Sequence, residues 1–284
     1  MLVWPLFSCT EMNYYFPQDP MEMALTPEAG AVSVVHGFTS SDLKIWQPLP
    51  EPIAYGVSSL GLSVEDGALI LTGLQEVRPP SFWEEKVTGA PIRGLEFDGE
   101  TWEPRHWSID DEVARSHIDP QAFEDGFWYI APSGQTGDPV EQLSVPIRSS
   151  PPPTEHFVGQ GVADPAPIRI AGVLHVFATS RGNIVHLTGD PLQVLATLNG
   201  ATVPFPVMVD GSLLLLAQRS VEGRRQPVTA RIDLGNPNKR VSWKPMLPME
   251  GLRSCTSPVM GPHPTDGGWL LLCVEERTPT GYKP

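Results

Sequence analysis

Two aspartates that precede proline, Asp119 and Asp164, are the residues of this chain whose type and setting best suit chemistry. Each stands at the start of a run that predicts a β-strand, and the run at Phe127 to Ala131 is aromatic and apolar, as a buried strand should be. Carboxyl groups that converge in one pocket can transfer protons. The alternative is that each Asp only caps a turn by bonding to its own backbone.

The two runs belong to a set of five similar hairpins along the chain. Most carry an Asp-Gly pair at the turn, and the third has Ala171-Gly172 instead. Such pairs tolerate the positive φ angles of a tight hairpin. The hairpins are spaced about 40–60 residues apart, which is the span of one four-stranded propeller blade. We take their starting points as Ser59, Asp119, Asp164, Pro204 and Ser257.

A second repeated phrase, Trp-x-Pro, begins at Trp46, Trp102 and Trp243, and an apolar strand-like run follows each. It predicts an edge strand that precedes the next hairpin. After the fifth hairpin too few residues remain to complete a blade, whereas the chain begins with a strand-like segment that has no hairpin before it. We therefore predict an all-β, five-bladed β-propeller over residues 31–284, closed by its N-terminal strand, after a lead at residues 1–30.

The composition excludes some classes of protein. Of the chain, 40% is apolar, enough for a core, and 32 Pro with 26 Gly suit many short strands joined by turns. The formal charge of −14 argues against a nucleic-acid partner, because phosphate binding needs a basic surface. We expect a monomer without a cofactor or a metal. The acidic run at 110–112 predicts a solvated face or a helix start, with Ca²⁺ as the alternative.

The three cysteines leave two questions open. The segment before Cys9 is apolar and ends in a small residue, as in a bacterial lipoprotein, although it is short and has no basic start. Cys9 is therefore either a lipidation site that tethers an exported protein to a membrane, or part of a frayed apolar tail. Cys255 and Cys273 flank the fifth turn and either form a disulfide or remain buried thiols.

In a propeller the innermost strands surround the axis, so the residues at their entry ends meet at one mouth. We expect Asp119 and Asp164 there, with Ser59, Ser257 and, from the fourth hairpin, Pro204 or Phe205. A mouth with carboxylates, basic side chains and aromatic walls suits a sugar. The candidates for binding substrate are His117, His156, Arg253 and Trp128, and Glu155 is a candidate third carboxylate. The alternative for the two histidines is an ordinary loop position.

The segment from Ile118 to Tyr129 resembles the second-blade motif of the family 43 glycoside hydrolases, and Ser41-Asp42-Leu43 with Trp46 resembles their outer-strand phrase. The resemblance implies a five-bladed propeller that acts on arabinan, xylan or related polymers with inversion. It also implies an Asp base, an Asp that tunes pKa values and a Glu acid on three consecutive blades.

This sequence departs from that set of three in either register. If Asp119 matches the tuning Asp, the first blade lacks the base and the third has Asp164 in place of the acid. If Asp119 matches the base and Asp164 the tuning Asp, the fourth blade lacks the acid, and Glu155 is the substitute we consider. The first hypothesis is thus an exported glycosidase-like propeller. The competing hypothesis is a non-catalytic propeller that binds a glycan or a protein, and a scaffold without a small ligand is the third.

Overall fold

The structure is a computed structural model that describes residues 33–75, 92–105, 118–124, 126–130, 144–150, 154–246 and 252–276. Within these ranges the chain forms 21 β-strands, numbered here along the chain, and no helix. The described part of the chain accordingly contains no helix that could cross a membrane.

The strands form five antiparallel sheets, numbered here as blades one to five. The innermost strands, from blade one to blade five, are β4 (Val57–Glu65), β8 (Ile118–Phe123), β12 (Val162–Ile170), β16 (Thr202–Val209) and β20 (Thr256–Pro262). The second strands are β5 (Ala68–Gln75), β9 (Gly126–Ile130), β13 (Val173–Ser180), β17 (Ser212–Val221) and β21 (Trp269–Glu276). The third strands are β6 (Ile92–Phe97), β10 (Ser144–Ser150), β14 (Asn183–Thr188), β18 (Arg224–Ile232) and β1 (Ser33–Ser40). The outermost strands are β7 (Trp102–Arg105), β11 (Thr154–Gln160), β15 (Gln193–Leu198), β19 (Lys244–Pro245) and β2 (Gln47–Pro48). One further short strand, β3 (Ala54–Tyr55), pairs with β1.

The five innermost strands surround a single axis. Each of them contacts the innermost strands of both neighbouring blades, and β20 of blade five contacts β4 of blade one. The predicted all-β, five-bladed propeller is confirmed, and all five predicted hairpins are the first two strands of a blade.

Blade five contains strands from both ends of the described chain. β1 pairs antiparallel with β21 along its whole length, from Ser33 opposite Glu276 to Ser40 opposite Trp269. In the same blade a disulfide joins Cys255 to Cys273, whose Cα atoms are 5.3 Å apart. Of the two states left open by the sequence, the structure therefore has the disulfide.

The Trp-x-Pro phrase has the structural role that was predicted for it, and the predicted turn pair forms a two-residue hairpin turn in three of the five blades. At Asp66-Gly67, Ala171-Gly172 and Asp210-Gly211 both residues have positive φ, as a two-residue hairpin turn requires. Each Trp-x-Pro phrase lies at an outermost strand, in β2, β7 and β19, just before the first strand of the next blade. In blade two the turn lies one residue earlier than predicted, because Phe123 pairs with Gly126 and Gly126 begins β9. Glu124 has the positive φ there, at 53°, and Asp125 is outside the described residues.

The core lies between the blades. Leu62 and Leu71 of blade one pack in one cluster with Met260 and Leu271 of blade five, and all four side chains are buried. Further clusters join blade two to blade three and blade three to blade four. Because the innermost strands are held by these contacts on both sides, residues at their entry ends have fixed positions around the axis.

Gly61 of β4 lies close to the backbone of blade two. A Cβ atom at this position would lie 2.8 Å from the carbonyl oxygen of Pro120 and 2.5 Å from Oγ1 of Thr72. We expect Gly61→Ala to lower the free energy of unfolding by about 1–3 kcal/mol, because the backbone of the neighbouring blade must move. Urea denaturation measures the change. Gly235→Ala is the control, since its Cβ would meet only a side-chain oxygen at 3.4 Å, and equal losses in both variants would contradict the prediction.

Candidate functional site at the propeller axis

All five innermost strands have the same irregularity at their entry ends. In each strand the pairing with the second strand shifts register across two unpaired residues. The first of these two residues has a φ angle between 45° and 54° in every blade, which is the left-handed region. The five residues are Ser59, Asp119, Asp164, Val203 and Ser257.

Proline explains why the ladder breaks at this point. It follows the left-handed residue in four of the five blades, and Leu60 takes its place in blade one. Proline has no N–H to donate to the ladder and is tolerated in a sheet mainly at bulges. Each bulge turns the side chain of the left-handed residue toward the axis. The backbone conformation therefore determines the ring of five positions.

The expected position in blade four is corrected by one residue. Val203, and not Pro204 or Phe205, is equivalent to Asp119 and Asp164, because its φ of 52° matches theirs. The conformation is unfavourable for a β-branched residue. The backbone N–H of Val203 donates to Oγ1 of Thr179 in blade three at 2.8 Å, which helps to hold it.

Asp119 is bonded to both neighbouring blades. Its Oδ1 accepts a hydrogen bond from Oγ of Ser59 at 2.8 Å, and its Oδ2 accepts one from the backbone N–H of Asp164 at 3.2 Å. Burial raises the pKa of Asp119, while these two hydrogen bonds act to lower it because they favour the charged form. Asp119 is thus the carboxyl group of the pair that is better suited to carry the negative charge.

Asp164 is the carboxyl group of the pair that is better suited to remain protonated. Burial and, to a smaller extent, the charge of Asp119 raise its pKa, and a hydrogen bond with the hydroxyl of Thr179 lowers it, with a net pKa of about 8. Two adjacent carboxyl groups in a poorly solvated site cannot both be ionised cheaply. Asp164 therefore keeps its proton at neutral pH, while the two hydrogen bonds to Asp119 favour the charged form of that group.

The ring encloses a small axial cavity of about 20 Å³ among the described residues. All five ring residues line it, together with the residues that follow them. That volume accommodates about one water molecule. Asp119 and Asp164, which were predicted to converge, both line this cavity.

Neither models of protein families nor curated proteins match this sequence. Solved structures with a similar fold include a thermostable family-43 glycoside hydrolase, with a TM-score of 0.52 at 10% identity over 81% of this chain and 95% of that chain. An α-L-arabinofuranosidase from Clostridium thermocellum has a TM-score of 0.51 at 12% identity, covering 74% of this chain and 79% of its own. A structure from Parabacteroides distasonis, described as that of a glycoside hydrolase, has a TM-score of 0.52 at 11% identity. The match covers 78% of this chain and 87% of that chain.

The chain shares its fold with family-43 glycoside hydrolases. At these identities the likeness is one of fold, so the site has to be judged from its own residues. In the register in which Asp119 is the tuning residue, Ser59 stands where the family-43 base is expected and Asp164 stands where the acid is expected. In the shifted register Val203 occupies the acid position, and it has no proton to transfer.

The structure does not bring Glu155 to the axis. Glu155 lies on β11, the outermost strand of blade two, opposite Arg148, and its Oε2 is 3.4 Å from that residue's guanidinium nitrogen. Three strand spacings separate it from β8, or about 14 Å at the usual distance between strands. This exceeds the roughly 6.5–9.5 Å between the carboxyl groups of an inverting pair.

The candidate binding residues are also dispersed. Trp128 is only 6% exposed and stacks on His156 in the interior of blade two, with 4.2 Å between the ring centroids. Arg253 is exposed before β20, and its backbone N–H donates to Glu275. None of these three residues lines the axial cavity. His117 and the acidic run at 110–112 lie outside the described residues, as does Cys9.

Two residues that support the ring were not predicted from the sequence. Thr179 on β13 and Gln218 on β17 occupy equivalent places opposite the start of the innermost strand. Each accepts the backbone N–H of the next blade's ring residue, Val203 and Ser257 respectively, the second at 3.3 Å. A polar residue near the end of an otherwise apolar second strand was the available signal.

A histidine pair lies away from the axis, in blade three. Nδ1 of His175 and Nε2 of His186 are 2.9 Å apart, and His186 is fully buried and stacks on Phe177. Nδ1 of His186 has no hydrogen-bond partner. Burial, with a smaller contribution from His175, lowers the pKa of His186 to about 4. Among the described residues no group of three or more His, Cys, Asp or Glu side chains is placed to hold a metal ion.

Proposed function

We propose that the protein acts on a carbohydrate at the mouth of the propeller, with Asp119 and Asp164 as its proton-transferring pair. The observation that carries the proposal is that Asp119 and Asp164 line one axial cavity, where Asp119 accepts the backbone N–H of Asp164. The raised pKa of Asp164, about 8, adds a group that keeps its proton at neutral pH. Support comes from the fold, because solved structures that share it include an α-L-arabinofuranosidase and an endo-1,4-β-xylanase.

The chemistry needs one proton acceptor and one proton donor. In hydrolysis a base takes a proton from the attacking water, and the water oxygen forms a bond to the anomeric carbon as the bond from that carbon to the leaving oxygen breaks. An acid protonates the leaving oxygen. The ionised Asp119 is suited to the first task and the protonated Asp164 to the second. After one cycle the proton has moved from Asp164 to Asp119, and exchange between them restores the starting state.

A non-catalytic glycan-binding propeller is the second candidate, and a specific observation favours it. In the two registers, four ring positions could supply a family-43 catalytic group. Two of these positions are occupied by Ser59 and Val203, which have no carboxyl group. The ring thus has two carboxyl groups where the family-43 pattern needs three. The axial cavity, with room for about one water, is also too small among the described residues to hold a sugar ring.

Asp119→Asn and Asp164→Asn are each expected to lower kcat on aryl arabinofuranosides or xylosides by about 10²–10⁴, because each removes one proton-transferring group. The wild-type kcat should fall about tenfold per pH unit above the pKa of Asp164, about 8, as its proton is lost. Release of the aryl alcohol measures the rate. Asp210→Asn is the matched control, because Asp210 is an exposed hairpin residue with the same sign of φ.

The same set of proteins separates the two candidates. Equal, negligible rates for the wild type and both axial variants would reject hydrolysis. Oligosaccharide binding that is retained by the wild type and weakened by Asp119→Asn, measured by calorimetry, would then support the glycan-binding propeller.

Export from the reducing cytosol also belongs to the proposal. The Cys255–Cys273 disulfide supports it, because such bonds persist mainly in oxidising compartments. Tethering through a lipid on Cys9 and a monomeric state remain predictions from the sequence.

A further inference from the structure

A groove of about 460 Å³ lies on the outer half of blade four, and none of its lining residues lines the axial cavity. Its walls come from β17, β18 and the segment that leads from β18 to β19. The volume falls in the range of small-molecule binding sites. The groove plays no part in the function proposed for the axis.

Four cationic side chains line this groove, namely those of Arg231, Lys239, Arg240 and Lys244. None of the four forms an ion pair with a described residue. Asp233 is the one acidic residue among the described residues of the lining, and its Oδ1 accepts the N–H of Gly235 at 3.1 Å. The groove lining therefore has four cationic side chains against one acidic side chain, and none of the four cations is paired with a described residue.

The positive charge is also concentrated in the part of the sequence that forms this groove. Residues 224–244 contain six Lys or Arg and one Asp, for a net charge of +5. The remainder has 13 Lys or Arg against 32 Asp or Glu, or −19, and the two parts sum to the −14 of the whole chain. A basic segment in so acidic a chain is the kind of asymmetry that indicates an anionic partner.

The groove also has an apolar floor and a defined wall. Leu198, Leu214 and Val241 contribute apolar surface. The wall is a pair of hydrogen-bonded turns, in which the N–H of Asn236 donates to the Asp233 carbonyl and the N–H of Lys239 donates to the Asn236 carbonyl, both at 3.0 Å. The backbone that carries the cations is thus held in place before any ligand arrives.

We propose that this groove binds an acidic oligosaccharide, with its carboxylate or sulfate groups on the four cations and a sugar face on the apolar floor. The anionic requirement follows from the groove alone. The choice of a sugar as the carrier of the anion rests on the proposed function. The groove favours a sugar over nucleic acid because its cations are confined to one short groove, whereas the rest of the chain repels a long, densely charged polyanion.

The test is calorimetric titration of the full chain with oligogalacturonate, and with inorganic phosphate, a neutral xylo-oligosaccharide and single-stranded DNA as separate ligands. Oligogalacturonate should bind more tightly than the other three, and its affinity should fall as salt rises. Lys239→Glu combined with Arg240→Glu should weaken its binding at least tenfold. Both residues are exposed, so the variant is expected to fold.

Arg219→Glu combined with Arg224→Glu is the matched control. It makes the same change in net charge, on exposed residues of the same blade that do not line the groove, and should leave the affinity unchanged. Asp119→Asn should also leave it unchanged, so a failure of the axial proposal is distinguishable from a failure of this one. Equal losses in the groove variant and the control would overturn the proposal. So would tighter binding of DNA, or phosphate binding as tight as that of oligogalacturonate.

Discussion

Asp164→Asn is expected to exceed the wild type in stability by about 4 kcal/mol at pH 7 and to match it at pH 4. In the unfolded chain Asp164 titrates at its ordinary pKa of 3.8, whereas burial raises the pKa to about 8 in the folded protein. Folding at neutral pH therefore requires the uptake of a proton. Asparagine has the shape of the protonated acid and needs no proton, so it removes this cost.

The sign of the pH dependence follows from the same shift. Between pH 4 and pH 8 the folded state binds more protons at Asp164 than the unfolded state, so this group's contribution to stability falls as pH rises. The slope is about 1.4 kcal/mol per pH unit and ends near pH 8. Urea denaturation of the wild type and Asp164→Asn at intervals from pH 4 to pH 9 measures the difference directly.

Asp210→Asn again serves as the control, because it removes a carboxylate from an exposed turn away from the axis. Parallel pH profiles for the wild type and Asp164→Asn would show that Asp164 does not hold the proton. A gain in stability accompanied by a loss of activity is the pattern expected when an unfavourable charge pair is retained for function.

In the wild type, His186 is expected to lower stability by about 3 kcal/mol at acid pH. His186→Leu should remove this loss. The pKa of His186 is about 4 in the folded protein and near 6.5 when unfolded, because burial disfavours the imidazolium ion. Between these values the unfolded state binds more protons, so stability falls as pH falls from 6.5 to 4 and is constant below that. Leucine has a similar size and does not titrate.

The two groups act in opposite directions over the same range of pH. Their slopes should nearly cancel between pH 4 and pH 6.5, so that the summed contribution of these two groups to stability is flat there and falls from pH 6.5 to pH 8. In Asp164→Asn the stability should fall as pH falls from 6.5 to 4, because only His186 then contributes a slope. In His186→Leu the stability should fall as pH rises from 4 to 8, because only Asp164 then contributes. Denaturation profiles of both variants that remain flat between pH 4 and pH 6.5 would contradict this account.

The fold could be predicted from the sequence because its repeated parts are local. Asp210-Gly211 and its equivalents encode a hairpin turn through backbone preference alone, and Trp243-Lys-Pro245 marks an outermost strand in the same way. Asp119 and Asp164 could be placed at the axis once the hairpins were counted. These inferences needed no knowledge of contacts between blades.

What could not be predicted depends on those contacts. Val203 is the ring residue of blade four because Thr179 of blade three accepts its N–H, although a β-branched residue disfavours that conformation. Glu155 precedes the third hairpin in sequence, as a residue near the mouth would, yet it belongs to an outermost strand with exposed side chains and no apolar alternation. The raised pKa of Asp164 arises from burial and from the charge of Asp119, and no local sequence pattern indicates either.

The five left-handed ring positions also bear on how such a propeller can change over evolutionary time. The backbone conformation there is the same whether the side chain is Ser, Asp or Val, so a single codon change can alter what faces the axis without altering the strand that carries it. A lineage can thus lose a catalytic carboxylate, or gain one, while every blade keeps its packing. Val203 is the natural place for such a gain, because Asp and Asn tolerate its backbone conformation better than valine does.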